Sequence, residues 1–174
     1  PLLGEFLKVY EVACIFNEPS TRTKLMFQSG VGTLGGATVD IPVEGDEKDL
    51  RFSSRAKGES AEHSYRVISG LVDSVVLRDS KPGFVFDILP YMASPLINAG
   101  DGEREHPTQA LKDYYTLMRL FGSIDGLRVT FMGDIKYSRV VHSLSLLLSL
   151  FDTEINLVAP NYLRAPQEMI YILR

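Results

Sequence analysis

Six short apolar runs rich in β-branched residues alternate along the chain with six segments of helical period, and glycine, proline and polar turn residues separate them. We read strands at 8–16, 37–42, 73–78, 95–98, 127–132 and 153–158, and helices at 21–33, 59–70, 83–93, 107–121, 137–151 and 165–174. Such alternation specifies a parallel sheet, because each strand must be followed by a crossover before the next can run the same way, and a helix is the usual crossover. The expected class is therefore α/β, a parallel sheet flanked by helices on both faces. The helical pattern breaks at Phe121-Gly122-Ser123-Ile124-Asp125-Gly126, immediately before the run Leu127 to Met132. That break divides the chain into a domain at 1–122 and the beginning of a second α/β domain at 123–174. One strand, one helix, one strand and part of a helix are too little to close a sheet around its own core, so the second domain is expected to be truncated at Arg174.

Composition excludes several function classes. With 174 residues, 45% of them hydrophobic and 23% charged, the chain can bury a sizeable core. A net charge of -4 and a pI near 5.4 argue against generic nucleic-acid binding, which needs a basic face to displace counterions from phosphates. Any anion site must then be a local cluster of positive groups. The one cysteine, Cys14, lies in an apolar run and cannot form an internal disulfide, which fits a cytoplasmic setting. No pair among the three histidines has metal-ligand spacing. The longest apolar stretch, Leu144 to Phe151, is short and interrupted by Ser145 and Ser149, so no membrane span is expected.

The local chemistry concentrates where strands pass into helices. Phe16-Asn17-Glu18-Pro19-Ser20-Thr21-Arg22-Thr23-Lys24 joins an apolar strand to a helix. Ser20 suits the N-cap, the first-turn amides point outward beside three hydroxyls, and the guanidinium of Arg22 adds a planar fork. Together with the positive end of the helix dipole these donors make either a phosphate cradle or simply a well-capped helix. Directly after it, Gly30-Val31-Gly32-Thr33-Leu34-Gly35 spells the dinucleotide fingerprint, but it closes a helix instead of opening one, so turn glycines are the better account. The loop 44–58 is long, acidic at first and then basic, a pattern of mobile surface or of a functional lid.

Further crossings repeat the theme. Arg78 ends the run Ser74-Val75-Val76-Leu77, at the strand end where parallel sheets bind ligands, with Asp79 or water as its alternative partner. His106 precedes Pro107, which suits a first helical turn, and the helix dipole there favours a neutral ring that can donate one hydrogen bond, with an N-terminal cap or a surface group as the alternative reading. Gly133-Asp134-Ile135-Lys136-Tyr137-Ser138-Arg139 places two cations after another strand. Four such crossings in a net-acidic chain point to one anion-binding edge.

In combination, Ser20-Thr21-Arg22-Thr23, Lys57-Gly58-Glu59-Ser60, Arg78, His106-Pro107-Thr108-Gln109 and Asp134-Ile135-Lys136-Tyr137-Ser138-Arg139 through His142-Ser143 resemble the transcarbamoylase family in order and spacing, the aspartate carbamoyltransferases in particular. The resemblance implies transfer of a carbamoyl group from carbamoyl phosphate to the amine of L-aspartate, a step of pyrimidine biosynthesis that requires no cofactor. It implies that Ser20, Thr21, Arg22 and Thr23 bind the phosphate. Arg78, His106 and Gln109 would contact the carbamoyl group with help from Thr23, and Arg139 the aspartate carboxylate. Ser53 and Lys57 would act in the site of a neighbouring subunit, the family's catalytic unit being a homotrimer with shared active sites. Regulatory chains are a further partner class consistent with it. Against the family pattern, the sequence lacks an opening helix and the portion beyond Arg174 that completes the aspartate side. Two alternatives stand beside this reading, an ornithine-type or other transcarbamoylase and a non-catalytic homologue serving as an assembly module.

Overall fold

The computed structural model of the protein describes residues 3–41 and 58–173. Strands β1 (Glu11–Phe16), β2 (Ala37–Ile41), β3 (Ser74–Asp79) and β4 (Leu96–Asp101) form one sheet in the order β2-β1-β3-β4. β1 pairs in parallel with both its neighbours, setting Cys14 beside Asp40 on one side and beside Val76 on the other. Helices α1 (Thr21–Thr33), α2 (Ala61–Leu71) and α3 (Phe84–Ile88) belong to the same compact unit, Pro1–Ala99. The second unit, Gly100–Arg174, contains α4 (Pro107–Phe121), the parallel pair β5 (Arg128–Met132) and β6 (Glu154–Val158), α5 (Arg139–Leu148) and α6 (Gln167–Ile172). The expected α/β class, with a helix-covered parallel sheet, is what the chain adopts.

The two-residue period of the strands divides the first unit's core into two layers. Ala13, Ile15, Val75 and Leu77 pack on one face with Tyr65 of α2 and with Val85 and Ile88 of α3. Val12, Cys14, Phe16 and Val76 pack on the other face with Val31 and Phe27 of α1. Near-continuous apolar strands are therefore required, since β1 and β3 are buried on both faces. Burial also pushes the Cys14 thiol pKa up, with the Asp40 charge adding to the effect. In the second unit α4 and α5 cover β5 and β6, burying Ala110, Ile124, Leu144 and Leu148. Among the described residues no helix is long and apolar enough to cross a membrane.

α1 and α4 coincide with the expected 21–33 and 107–121. The other elements differ from expectation at their ends, three of them as follows. The strand expected from residue 8 starts at Glu11, because Val9 takes a φ of +69° in a turn where the Tyr10 amide donates to Leu7. The helix expected over 83–93 ends at Ile88 and tightens into a 3-10 turn at Leu89–Tyr91, where Pro90 has no N–H to continue an α-helical ladder. The strand expected at 95–98 runs on to Asp101.

Of the fingerprint-like glycines, Gly35 serves the turn as expected. Gly30 and Gly32 lie inside α1, and Gly35 follows with a φ of +89° against the backbone of Gly4. A methyl group at Gly35 would collide with the Gly4 carbonyl and would have to adopt a left-handed backbone. Gly35→Ala is therefore expected to lower the unfolding free energy by about 2 kcal/mol or more, measured by urea denaturation.

Candidate functional site

The chain leaves β1 for α1 on one face and reaches β3 through α2 on the other, so the order β2-β1-β3-β4 reverses direction between β1 and β3. At such a switch point the connections diverge and open a crevice beyond the carboxyl ends of the two strands. The residues that occupy this edge are Asn17 and Glu18 after β1, and Arg78 and Asp79 at the end of β3. The ladder extends past the strand, with the Asn17 amide donating to the Arg78 carbonyl at 2.8 Å. Arg78, only 5% exposed, donates through Nη2 to Glu18 Oε1 at 2.7 Å. A nearly buried guanidinium is thus held at the strand end by a charge-assisted bond.

α1 begins at the same edge. Ser20 stands at its N-cap with an extended backbone, as the sequence predicts, but its hydroxyl makes no cap hydrogen bond and instead donates to Thr23 Oγ1 at 3.0 Å. The Thr21, Arg22 and Thr23 amides precede the first intrahelical donor, since the first bond of the helix runs from Lys24 N to Ser20 O. Arg22 is exposed and Thr23 half-buried, so this end of the helix faces solvent. The result is a set of backbone and hydroxyl donors at the positive end of a 13-residue helix, with an exposed guanidinium beside it. Chemically it suits a dianion such as a phosphate.

In the second unit His106 is the N-cap of α4, 8% exposed, and Pro107 occupies the first helical position. Its backbone amide donates to Ser143 Oγ at 2.8 Å, and Ser143 in turn donates to Glu105. The imidazole Nδ1 lies 3.4 Å from Thr108 Oγ1. Gln109 turns its amide along the helix to Asp113, at 2.9 Å. Arg139 opens α5 and donates from Nη1 to the Gly102 carbonyl at 2.6 Å, closing over a turn in which the Asp101 amide reaches Glu105. His142 Nε2 lies 2.9 Å from the Ile135 carbonyl, and Lys136 is exposed above the Tyr137 ring.

The structure therefore brings Ser20, Thr21, Arg22 and Thr23 to one helix start and Arg78 to the adjoining strand end. It gathers His106, Gln109 and Arg139 within the second unit. Ser53 and Lys57 lie outside the described residues. Arg78 is bonded to Glu18, a partner the sequence reading did not name, and Asp79 accepts from Asn17 and from the Lys81 amide. Glu18, Glu105 and Ser143 were not singled out by role from the sequence. Glu18 had one available signal, an acid just past a central strand whose neighbour ends in arginine. Among the described residues no group of three or more His, Cys, Asp or Glu side chains could hold a metal ion.

Comparison with known proteins matches residues 4–119 to the aspartate/ornithine carbamoyltransferase carbamoyl-P binding domain. The aspartate carbamoyltransferase catalytic subunit of Methanocaldococcus jannaschii is 46% identical over 164 residues, covering 94% of this chain and 52% of the relative. That of Dichelobacter nodosus is 44% identical, covering 94% and 47%. Among solved structures, aspartate transcarbamoylase from Trypanosoma cruzi in complex with carbamoyl aspartate and phosphate superposes with a TM-score of 0.87 at 34% identity, over 98% of this chain and 53% of that one. The M. jannaschii catalytic subunit gives 0.83 at 45% identity, over 97% and 54%. The chain spans about half the length of the curated relatives it matches.

Ser143 is 6% exposed and accepts the buried amide of His106. Ser143→Ala leaves that donor without its acceptor and is expected to destabilise the protein by about 1–3 kcal/mol in urea unfolding, with Ser143→Thr intermediate.

Proposed function

The chain belongs to the aspartate/ornithine carbamoyltransferase family, and from that membership we propose that it is the carbamoyl-phosphate-binding part of an enzyme that carbamoylates L-aspartate, giving N-carbamoyl-L-aspartate and phosphate. The observation that carries this reading is the α1 helix start beside Arg78 at the switch point of the sheet. It offers backbone amides, the hydroxyls of Ser20, Thr21 and Thr23 and the Arg22 guanidinium to one anion, a donor set that matches the phosphate of carbamoyl phosphate. Aspartate is preferred to ornithine as the acceptor because the relatives at 40–46% identity carry the aspartate name, and because Arg139 suits a side-chain carboxylate.

In the proposed reaction the aspartate amine attacks the carbamoyl carbon, forming the C–N bond while negative charge builds on the carbonyl oxygen. The C–O bond to phosphate then breaks, and the leaving phosphate accepts the proton the amine gives up. Thr23, Arg78 and His106 are assigned as donors to that oxygen, and Gln109 as a further carbamoyl contact. Arg22 and Lys57 are assigned to the departing phosphate, and Lys57 and Ser53 act from a neighbouring subunit of a homotrimer. Division into a carbamoyl-phosphate domain at 1–122 and the beginning of an aspartate domain at 123–174, a cytoplasmic location and regulatory partner chains complete the proposal.

Carbamoylation of aspartate and of ornithine by the intact protein, followed by phosphate release, is the direct test; transfer to ornithine alone would overturn the acceptor assignment. Arg22→Ala is expected to weaken carbamoyl phosphate binding by about 2–4 kcal/mol, or roughly 30-fold to 1,000-fold, because a charge-assisted fork is lost from the phosphate. Isothermal titration with carbamoyl phosphate checks it, and unchanged affinity would remove Ser20–Thr23 as the phosphate site.

A further inference from the structure

We infer that Asn17, Asp79 and Tyr65 form a positioning clamp that holds the Ser20–Thr23 helix start at the carboxyl edge of the sheet, an inference that rests on the phosphate reading of that helix start. Asn17 Nδ2 donates to Asp79 Oδ2 at 2.5 Å and to the Tyr65 hydroxyl at 3.0 Å. Asp79 ends β3, is 7% exposed, and accepts the Lys81 amide at 2.7 Å on its other oxygen. Tyr65 projects from α2, is 4% exposed and meets the Phe84 ring edge-on at 5.8 Å. One amide nitrogen therefore joins three elements separated by 48 and 62 residues in sequence. Asparagine suits the role because a single nitrogen carries two hydrogens, one for each oxygen, and a carboxylate in its place could give neither.

The clamp acts on the site through the short link that follows. The Asn17 main chain is held by the Arg78 carbonyl, so backbone and side chain fix the same residue from two directions. Glu18, next along, carries the ion pair with Arg78. Pro19 has its φ locked by its ring and limits the rotation by which the chain could absorb a shift at Asn17 before Ser20. Moving Asn17 thus moves the first turn of α1 and the environment of Arg78, although neither Asn17, Asp79 nor Tyr65 is among the donors assigned to phosphate.

A charge exchange tests this. Asn17→Asp sets two carboxylates against each other, while Asn17→Asp with Asp79→Asn restores one amide and one carboxylate with their roles exchanged, and Tyr65 can turn its hydroxyl proton to the new carboxylate. In the intact protein, Asn17→Asp is expected to raise both the KM for carbamoyl phosphate and the Kd of inorganic phosphate about tenfold. It should also lower kcat about threefold or more, since Thr23 and Arg78 are assigned to the developing oxyanion and would move with the clamp, while leaving the KM for aspartate within about threefold. The double exchange should return both constants to within about threefold of the unaltered protein. If Asn17→Asp does not fold, Tyr65→Phe removes one arm of the clamp and should raise the phosphate Kd about threefold. A folded single variant with unaltered phosphate affinity overturns the clamp, as does a double exchange that recovers the melting temperature without the affinity. An unaltered protein that binds neither carbamoyl phosphate nor phosphate overturns the site reading and the clamp together, whereas normal binding with an unresponsive variant overturns the clamp alone.

Discussion

Parallel pairing of β1 with β3, in the register that sets Phe16 beside Arg78, is the constraint on which the proposed anion-binding edge depends. Because α1 and α2 lie on opposite faces of the sheet, the chain diverges at the carboxyl ends of these two strands. The residues immediately beyond them, Asn17 to Thr23 on one side and Arg78 and Asp79 on the other, are forced into one neighbourhood. A register shift of one residue would exchange the faces of every β1 side chain. Ala13 and Ile15 would leave the α2 layer and Val12 and Cys14 the α1 layer, so hydrophobic packing on both faces also locks the chemistry at the edge.

The polar groups at that edge are ordered by charge. A guanidinium as buried as Arg78 needs a counter-charge, and Glu18 supplies it at 2.7 Å. With Arg78 engaged by Glu18, Asp79 is free to turn to Asn17, which in turn reaches α2 through Tyr65. The donors left facing solvent are those of the α1 helix start, where the Ser20 hydroxyl bonds to Thr23 and not to the first-turn amides. Positive potential at this edge is thus concentrated at a helix end and a few side chains, the arrangement by which a chain of net charge -4 would attract a phosphate under the proposed reading.

Within the second unit the same economy holds around His106. Its amide, first in a helix that begins with Pro107, finds an acceptor 37 residues away in Ser143, which is itself bonded to Glu105 beside it. Arg139 holds the Gly102 carbonyl across the same turn. The turn before α4 and the first turns of α5 are therefore tied by side-chain to backbone bonds that no local pattern could announce.

Short-range physics was legible in the chain itself. The period of the apolar residues, the proline at the start of α4 and the glycines after α1 locate most elements, and α1 and α4 fall at their expected residues. The motif segments likewise identify the family, because the donor set proposed for phosphate is written in contiguous residues at one helix start. Tertiary structure decided the partners: Glu18 for Arg78, Thr23 for the Ser20 hydroxyl, Asp79 and Tyr65 for Asn17. Most of these contacts join residues 48 to 62 positions apart, and they exist only once strand order and register are set. Local propensity acts over a turn or two of chain, whereas a hydrogen bond selects its partner by distance in space, and that distance is a property of the folded sheet.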